Sequence, residues 1–315
     1  MARKTHILLC IPPLFLLAML EPMISWGQEY SRSGADSCVL CHGEGSQQPA
    51  TAIFHTKHAS QADLKTPFSD LQCETCHGPG KEHARAQRRG RDGNPPVTFG
   101  INAQTPTAEQ NQVCLSCHES RGRLAWFGSA HEREEISCAS CHQVHAKRDR
   151  VFDSQAQIQT CFTCHPKKRS DLYKFSSHPL RFGSMACSDC HNPHDGNNDF
   201  LLQRSTVNLT CYICHAEKRG PFLWEHAPAS EDCSNCHTPH GSNHPKLLTA
   251  RVPQLCQSCH VAGFHPSTAY GGPNYSDPVP GGVPVMDRRV GAMGCLNCHV
   301  EIHGSNHPGG ARFTR

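Results

Sequence analysis

The segment Cys38-Val39-Leu40-Cys41-His42 decides the fold, because its pattern of two cysteines three positions apart and a following histidine occurs ten times in the chain. The other copies begin at Cys73, Cys114, Cys138, Cys161, Cys187, Cys211, Cys233, Cys256 and Cys295. This spacing is typical of covalent c-type haem attachment, in which both thiols lie on one helical turn and the histidine reaches the iron. A zinc knuckle or a redox dithiol could explain one copy, but ten copies take up 20 of the 21 cysteines. The sequence therefore predicts a decahaem cytochrome.

The ten motifs contain the residues that we expect to hold haem c. Each motif offers two cysteines for thioether bonds to the porphyrin and one proximal histidine for the iron. The expected thioether residues are Cys38, Cys41, Cys73, Cys76, Cys114, Cys117, Cys138, Cys141, Cys161, Cys164, Cys187, Cys190, Cys211, Cys214, Cys233, Cys236, Cys256, Cys259, Cys295 and Cys298. The expected proximal ligands are His42, His77, His118, His142, His165, His191, His215, His237, His260 and His299.

Apolar side chains are too scarce for a conventional core. Leu, Ile, Val and Phe make up 56 of the 315 residues, and ten of these lie in the first 24 positions. Such a low share argues against an ordinary α/β enzyme or an all-β sandwich, and a net charge of +3 gives no indication of nucleic acid binding. Porphyrins and covalent bonds would have to stabilise the fold instead. We expect a multihaem cytochrome c that is mostly coil, with short α-helices wrapped around a chain of ten haems and almost no sheet.

The second axial ligands are expected to be histidines as well. Beyond residue 27 the chain has only Met185, Met286 and Met293, whereas 13 histidines lie outside the motifs. Bis-histidine ligation gives low-spin iron at a lower potential than histidine–methionine ligation. The candidates recur in five units of two motifs each, at about residues 34–107, 108–153, 154–205, 206–250 and 251–315.

Each unit has one candidate distal ligand between its motifs and another after its second motif. The intermediate candidates are His58, His131, His178, His226 and His265, and the trailing candidates are His83, His145, His194, His240 and His303. In the middle three units the trailing histidine lies three residues past the motif, too close to reach the far face of its own haem. It is therefore predicted to bind a neighbouring haem.

Three histidines exceed the ten distal ligands that are required. His244 and His307 both end a copy of the pentapeptide HGSNH, at 240–244 and 303–307. His307 is an alternative to His303 as a ligand. His55 and His244 are expected to be hydrogen-bonded or solvated.

The first residues resemble an export signal. Arg3 and Lys4 precede an apolar run at 7–20, and small residues at 25 and 27 suit cleavage after residue 27. We expect residues 1–27 to be a removed signal peptide. Residues 28–315 would then be an exported decahaem domain with no transmembrane segment of its own.

Two stretches carry no motif. Residues 81–107 include Lys81, Arg85 and Arg88 and are expected to form a solvated basic loop, with contact to an anionic partner or to haem propionates as the alternative. Residues 266–294 contain six glycines and five prolines, too many for regular structure. A lid and a contact surface near the last haem are both open for that stretch.

Ten haems in one exported protein indicate electron transfer along closely spaced cofactors. An enzyme of this class needs one iron with an open position, and neither the motifs nor the histidine count indicates one. We therefore expect an electron carrier without catalytic residues. One alternative is a multihaem oxidoreductase that acts on a nitrogen or sulfur compound at an open haem, and another is a soluble periplasmic electron shuttle or store.

Stretches that extend beyond the motifs resemble the decahaem periplasmic cytochromes of the MtrA/DmsE/MtoA type. They include GADSCVLCH at 34–42, LQCETCHGPG at 71–80, CASCHQVHAK at 138–147, CSDCHNPHDG at 187–196 and CLNCHVEIHGSNHP at 295–308. The similarity runs over nearly the whole chain beyond the leader. It carries over the ten proximal histidines and the distal candidates named above, with the HGSNHP pair as one position.

The resemblance implies an elongated bis-histidine haem chain inserted in an outer-membrane β-barrel porin. It also implies a location in the periplasm in association with the outer membrane. The partners would be a periplasmic or inner-membrane c-type cytochrome and an extracellular multihaem cytochrome. The process would be extracellular electron transfer linked to Fe(II) oxidation or to the reduction of Fe(III) or other metals, with extracellular sulfoxide reduction as the alternative that homologues of this type also serve.

The haem-free chain is expected to be unfolded, because its own apolar residues are too few to form a core. Far-UV circular dichroism should show helix for the holo-protein and a coil spectrum for the same chain made without haem attachment. A haem-free chain that is helical and unfolds cooperatively would contradict this expectation.

Overall fold

Short helices joined by coil make up the computed structural model, which describes residues 29–93, 96–120, 123–195, 198, 200–260 and 294–313. Within these ranges the α-helices are Ala35–His42 (α1), Cys73–His77 (α2), Lys81–Arg88 (α3), Thr107–His118 (α4), Ala130–Arg133 (α5), Cys138–Cys141 (α6), Ser154–Phe162 (α7), Pro166–Leu172 (α8), Val207–Cys211 (α9), Ala227–Glu231 (α10) and Gln254–Gln257 (α11). β-Pairing among the described residues is limited to isolated bridges. The prediction of short helices, extensive coil and almost no sheet is confirmed.

The two motifs of each predicted unit occupy different positions relative to the helices. The first motif lies at or just beyond the C-terminal end of α1, α4, α7, α9 or α11, whereas the second motif begins a helix of its own. That helix is α2 or α6 in the first two units and a 3₁₀ helix in the other three. The 3₁₀ helices are Thr51–His55, Lys57–Ala59, Pro67–Ser69, Leu124–Trp126, Arg150–Phe152, Pro179–Phe182, Cys187–Asp189, Ala216–Lys218, Cys233–Asn235, Pro245–Leu247, Cys295–Asn297 and Gly310–Arg312.

Polar side chains cap two of the five first-motif helices, α7 and α9. The Asp153 carboxylate accepts hydrogen bonds from the amides of Gln155 and Ala156 at the start of α7. The Thr206 hydroxyl accepts one from Leu209 at the start of α9. These caps satisfy amides that have no partner within the helix. They therefore help to hold short helices whose length alone would leave them unstable.

A buried asparagine joins the two motifs in the second and fourth units. The Asn208 carboxamide accepts a hydrogen bond from the Cys233 amide (2.7 Å) and donates to two carbonyls near the end of α10. Asn111 does the same in the second unit, accepting from the Cys138 amide (2.8 Å) and donating to the carbonyl of Ile136 (3.1 Å). Each asparagine lies three residues before the first motif. It therefore ties the helix of one motif to the first cysteine of the other.

The apolar core is small, as the composition predicts. The buried hydrophobic cluster consists of Ala35, Ile53 and Phe68, with partly buried neighbours. Many large apolar side chains elsewhere are not covered by other parts of the polypeptide. For example, Phe175 is 79% exposed and Leu223 is 76% exposed. Exposed aromatic and aliphatic groups are the surface that a porphyrin would cover. The polypeptide therefore does not complete a core of its own.

Two of the isolated bridges join successive units. Ser176 and Ser242 exchange two backbone hydrogen bonds of 2.8 Å, and Trp224 and Ser305 exchange two of 3.0 and 2.9 Å. Both Ser242 and Ser305 are the serine of an HGSNHP segment. The glycine before the first of them, Gly241, has φ +151°, and a Cβ there would lie 1.9 Å from a carbonyl oxygen of α8. In both copies of the HGSNHP segment, the backbone therefore makes a close contact with the preceding unit.

The basic stretch after the second motif is helical at its start, so the expectation of a loop over 81–107 is wrong for α3. Seven of the eight residues of α3 are Lys, Glu, Ala, Arg or Gln, which all favour helix. Glu82 in the first turn and Arg88 in the last turn interact favourably with the helix dipole. Residues 1–27 and 266–293 lie outside the described residues. The signal peptide and the proposed lid or contact surface therefore stay predictions. No described helix is long and apolar enough to cross a bilayer.

The substitution Asn208→Ala is expected to lower the free energy of unfolding of the holo-protein by about 2–3 kcal/mol, because it leaves the Cys233 amide and two carbonyls without their partner. Asn235→Ala is the control, since exposed Asn235 makes a single bond to the carbonyl of Pro228, and it should cost less than about 1 kcal/mol. Denaturant titrations followed by far-UV circular dichroism and Soret absorption measure both. Equal effects would contradict the bracing role of Asn208.

Candidate haem-binding site

Eight proximal histidines each face a histidine from outside the motifs. The imidazole ring centres of every pair are 5.8–6.4 Å apart. Metal–imidazole bonds are about 2.0–2.1 Å long, so two imidazoles on opposite sides of one metal have ring centres roughly 6 Å apart. The pairs are His118–His58, His77–His145, His165–His131, His142–His194, His215–His178, His191–His240, His260–His226 and His237–His303.

The pairs follow one rule along the chain. A proximal histidine of a first motif faces the intermediate histidine of the preceding unit, as His165 faces His131. A proximal histidine of a second motif faces the trailing histidine of the following unit, as His191 faces His240. Every pair therefore joins two successive units.

The eight ring pairs include neither His42, in the first motif of the first unit, nor His299, in the second motif of the fifth unit. The rule leaves two distal candidates unused, the trailing His83 of the first unit and the intermediate His265 of the last. His265 lies outside the described residues, so its position relative to His299 is not described.

The second-motif histidines are oriented through their Nδ1 atoms. Each donates its Nδ1–H to an oxygen on the chain that follows the motif, which leaves Nε2 free for a metal. Four of the acceptors are backbone carbonyl oxygens and one is a carboxylate. The contacts are His77 to Val97 O (2.7 Å), His142 to Asp149 Oδ2 (2.7 Å), His191 to Phe200 O (2.8 Å), His237 to Lys246 O (2.8 Å) and His299 to Arg312 O (2.5 Å).

Backbone carbonyls also orient two of the distal candidates. His131 donates to the carbonyl of Pro193 (3.1 Å) and His178 to that of Pro239 (2.9 Å). Each acceptor immediately precedes a trailing histidine. The same contact therefore positions an intermediate histidine and the backbone of a trailing one.

Partial burial favours the neutral form of several facing imidazoles, which is the form that binds a metal. Burial lowers the pKa of His240 to about 4, because the charged form loses solvation. Burial likewise lowers the pKa of His58, His77, His194 and His303. These side chains are uncharged at neutral pH.

Contacts between cysteines show that motifs that are successive in sequence are also neighbours in space. Within each unit the two first-cysteine thiols are hydrogen-bonded to each other, in the pairs Cys38–Cys73, Cys114–Cys138, Cys161–Cys187, Cys211–Cys233 and Cys256–Cys295. Between units the second cysteines lie within electrostatic reach, in the pairs Cys76–Cys117, Cys141–Cys164, Cys190–Cys214 and Cys236–Cys259. Each motif therefore neighbours the next one along the chain.

The pairing of thiols shifts their pKa values in opposite directions. The hydrogen bond from Cys73 lowers the pKa of Cys38 to about 6, and the same bond raises the pKa of Cys73. Thioether sulfur atoms carry no proton, so these shifts apply to unattached thiols. For the haem-bound protein the relevant fact is the contact between the two sulfur atoms.

The three surplus histidines lie outside the ring pairs described above. His303, and not His307, faces His237, while His307 accepts a hydrogen bond at Nδ1 from the Gly309 amide (3.0 Å). His55 is exposed. The backbone amide of His244 donates to the Ser242 hydroxyl (2.9 Å).

Sequence reasoning did not identify the acceptors of the Nδ1 hydrogen bonds, among them Asp149. Four of them are backbone carbonyls, which carry no sequence signature. The spacing of seven residues between His142 and Asp149 was visible, but nothing in the sequence alone marked that carboxylate over its neighbours. The arrangement as a whole fits haem c: paired neutral imidazoles, adjacent thiol pairs and uncovered apolar side chains.

Family comparisons agree with this geometry along most of the chain. Residues 178–220 and 226–263 match the doubled CXXCH motif family, and residues 73–164 match the cytochrome c-type protein NrfB-like family. Residues 24–78 match the family of cytochrome c554 and c-prime. Haem c bound by the CxxCH motifs is therefore established for the chain.

Individual relatives give the more specific assignment. Over 288 residues the chain is 46% identical to multiheme cytochrome MtrA of Shewanella baltica, which covers 91% of this chain and 83% of that protein. It is 30% identical over 140 residues to cytochrome c-type protein NrfB of Escherichia coli, covering 43% of this chain and 67% of that protein. The chain thus belongs to the MtrA family of multihaem c-type cytochromes, and it is an electron carrier and not an enzyme.

Proposed function

We propose that the chain holds ten haems with bis-histidine ligation and conducts electrons along them. The observation that carries this proposal is the set of eight imidazole pairs with ring centres 5.8–6.4 Å apart. The two histidines of a pair are the proximal and distal ligands of one haem. His83 completes the first site with His42, and His265 completes the last with His299. When bound, each haem supplies an iron that takes up and releases one electron.

The electron path follows the sequence order of the motifs. Contacts between first cysteines within a unit, such as Cys38–Cys73, alternate with proximity between second cysteines of successive units, such as Cys76–Cys117. Neighbouring porphyrins attached at these positions lie next to each other. The chain therefore acts as a single row of cofactors with one end near the first motif and the other near the last.

The proposed location of this row is the outer membrane. In this proposal the protein is periplasmic and sits inside a β-barrel porin. It receives or delivers electrons through a periplasmic or inner-membrane c-type cytochrome and exchanges them with an extracellular multihaem cytochrome. Its membership of the MtrA family supports this location, and its mean hydropathy of −0.53 suits the polar interior of such a barrel.

The proposed process is extracellular electron transfer linked to Fe(II) oxidation or to reduction of Fe(III) or other metals. A row of bis-histidine haems conducts in both directions, so the direction follows from the potentials of donor and acceptor. The competing proposal is a soluble periplasmic shuttle or store. The partial similarity to NrfB, over 43% of this chain, is compatible with that alternative but covers less of the chain.

The substitution His240→Ala is expected to convert one haem in ten from low-spin to high-spin and to let it bind cyanide, because the iron at His191 loses its second imidazole. His244→Ala, four residues on in the same hexapeptide, is the matched control and should leave all ten haems low-spin. Absorption and EPR spectra of the oxidised holo-proteins, with haem counted per chain, measure both.

The comparison also tests the ligand assignment. A low-spin His240→Ala variant would contradict His240 as a ligand, and the double variant with His244→Ala would then show whether His244 takes its place. A wild-type protein with a high-spin haem would contradict bis-histidine ligation at one site or more.

Native protein is expected to co-purify with a porin from detergent-solubilised outer membranes. Liposomes that contain this pair should pass electrons from an enclosed reductant to external ferric iron, because the haem row crosses the barrel. Liposomes with the porin alone are the control. Recovery of the protein only in the free periplasmic fraction, at native expression, would favour the soluble shuttle.

A further inference from the structure

Asp149 distinguishes one haem site from four otherwise similar ones. The second-motif histidines all donate their Nδ1–H to an oxygen, and in four cases this is a backbone carbonyl. His142 instead donates to Asp149 Oδ2 at 2.7 Å. A carboxylate carries a full negative charge, whereas a carbonyl oxygen carries only a partial negative charge. The site of His142 is therefore electrostatically unlike its counterparts.

The local chain holds Asp149 in this position. Oδ1 accepts a hydrogen bond from the Val151 amide (3.3 Å) at the start of a 3₁₀ helix, while Oδ2 accepts from His142. The segment between His142 and Asp149 is two residues shorter than the segment from His191 to its acceptor Phe200. The shorter segment brings a side chain, and not a backbone carbonyl, to Nδ1.

One cation near this site, Arg123, lies within electrostatic reach of Cys138 and of the facing His194, but it does not pair with Asp149. The Asp149 side chain is 15% exposed, and in the part of the chain that the structure describes it forms no ion pair with a lysine or arginine. The Phe152 ring lies 5.8 Å from the His142 ring, and the buried Trp126 ring lies 6.3 Å from the ring of the facing His194. Buried Trp126 limits water on the His194 side, whereas Phe152 is 72% exposed. The low exposure of the Asp149 carboxylate itself means that solvent screens its charge less than at an open surface.

A carboxylate at Nδ1 favours the oxidised state of a haem iron. It draws the Nδ1 proton and raises the basicity of the ligating nitrogen. Ferric iron carries one more positive charge than ferrous iron, so both the stronger donor and the nearby negative charge stabilise it more. The effect requires no change of ligand.

We propose that Asp149 lowers the reduction potential of the haem bound through His142, the fourth haem in sequence order. This inference rests on the proposed function, because it needs His142 as an axial ligand. In the redox step the iron gains one electron from a neighbouring haem, which is oxidised. No bond forms or breaks, and the proton stays between Nδ1 and the carboxylate.

The position of this haem gives the shift a consequence for conduction. Electrons that pass along the row in sequence order must cross the fourth site in either direction. A lowered potential means that, in a partly reduced protein, the fourth haem holds an electron less often than its neighbours do. Electrons then collect on the haems on either side of it.

The test is Asp149→Asn in the full holo-protein, followed by equilibrium redox titration with absorption and EPR detection. Asparagine can still offer its carbonyl oxygen to His142, so it converts this site to the neutral-acceptor type of the other four. One haem in ten should titrate at a higher potential than in the wild type, with the other nine unchanged. Asp153→Asn is the matched control. Asp153 caps α7 nearby, and its substitution removes the same charge without changing a contact to a proposed ligand.

The outcomes separate this inference from the proposed function. Identical titrations for wild type and Asp149→Asn, or an equal shift in Asp153→Asn, would overturn the role of Asp149. If the asparagine variant loses haem, Asp149→Glu provides the second test, because it keeps the carboxylate and should keep the low potential. A wild-type protein with fewer than ten low-spin haems would instead count against bis-histidine ligation itself.

Discussion

In the proposed ligation, the need of each haem for a second imidazole is the constraint on which the rest of the structure depends. A CxxCH motif provides only one axial ligand, and its geometry keeps nearby residues from reaching the opposite face of the same ring. The facing histidines, such as His145 for His77 and His178 for His215, come from neighbouring units. In the proposed ligation eight of the ten irons are therefore cross-links between units. Such cross-links restrict the unfolded chain and stabilise a fold that has few apolar side chains.

The polypeptide between the motifs serves this cross-linking. Asn111 and Asn208 hold the two motifs of a unit together through the amide of the second motif's first cysteine. Gly241 and Ser242 let the chain of one unit lie directly against the preceding unit. The repeated HGSNHP segment thus combines a facing histidine, His240 or His303, with a contact between units.

Fixed ligand orientation suits an electron carrier. Histidines such as His191 and His237 have Nδ1 engaged by the backbone, so their rings cannot turn freely when the iron changes charge. A site with the same geometry in both oxidation states needs little rearrangement for each transfer. If the ligands are alike along the row, as proposed, differences between haems must come from groups outside the ligand set. Asp149 is such a group.

The sequence by itself determined the cofactor, the proximal histidines expected from the motifs and the absence of a conventional core. These follow from local chemistry, because two cysteines and a histidine within five residues suffice for one attachment site. It also limited the distal candidates to a repeated set of histidines. The predicted cooperation of neighbouring units is visible in spacing, since a trailing histidine such as His194 is too close to its own motif.

The tertiary structure alone decided which histidines face each other and what their Nδ1 atoms contact. Those partners lie far apart in the chain, as His58 and His118 do, or are backbone carbonyls that any residue could supply. The choice of His303 over His307 also depends on the fold, because the junction at Ser305 sets which of the two comes near His237. The basic stretch that looked like a loop became α3 for a local reason, its helix-forming residues, which its charge had obscured. Distance in sequence is therefore the physical limit: contacts within a motif can be inferred from the sequence, whereas the specific partners that meet between units cannot.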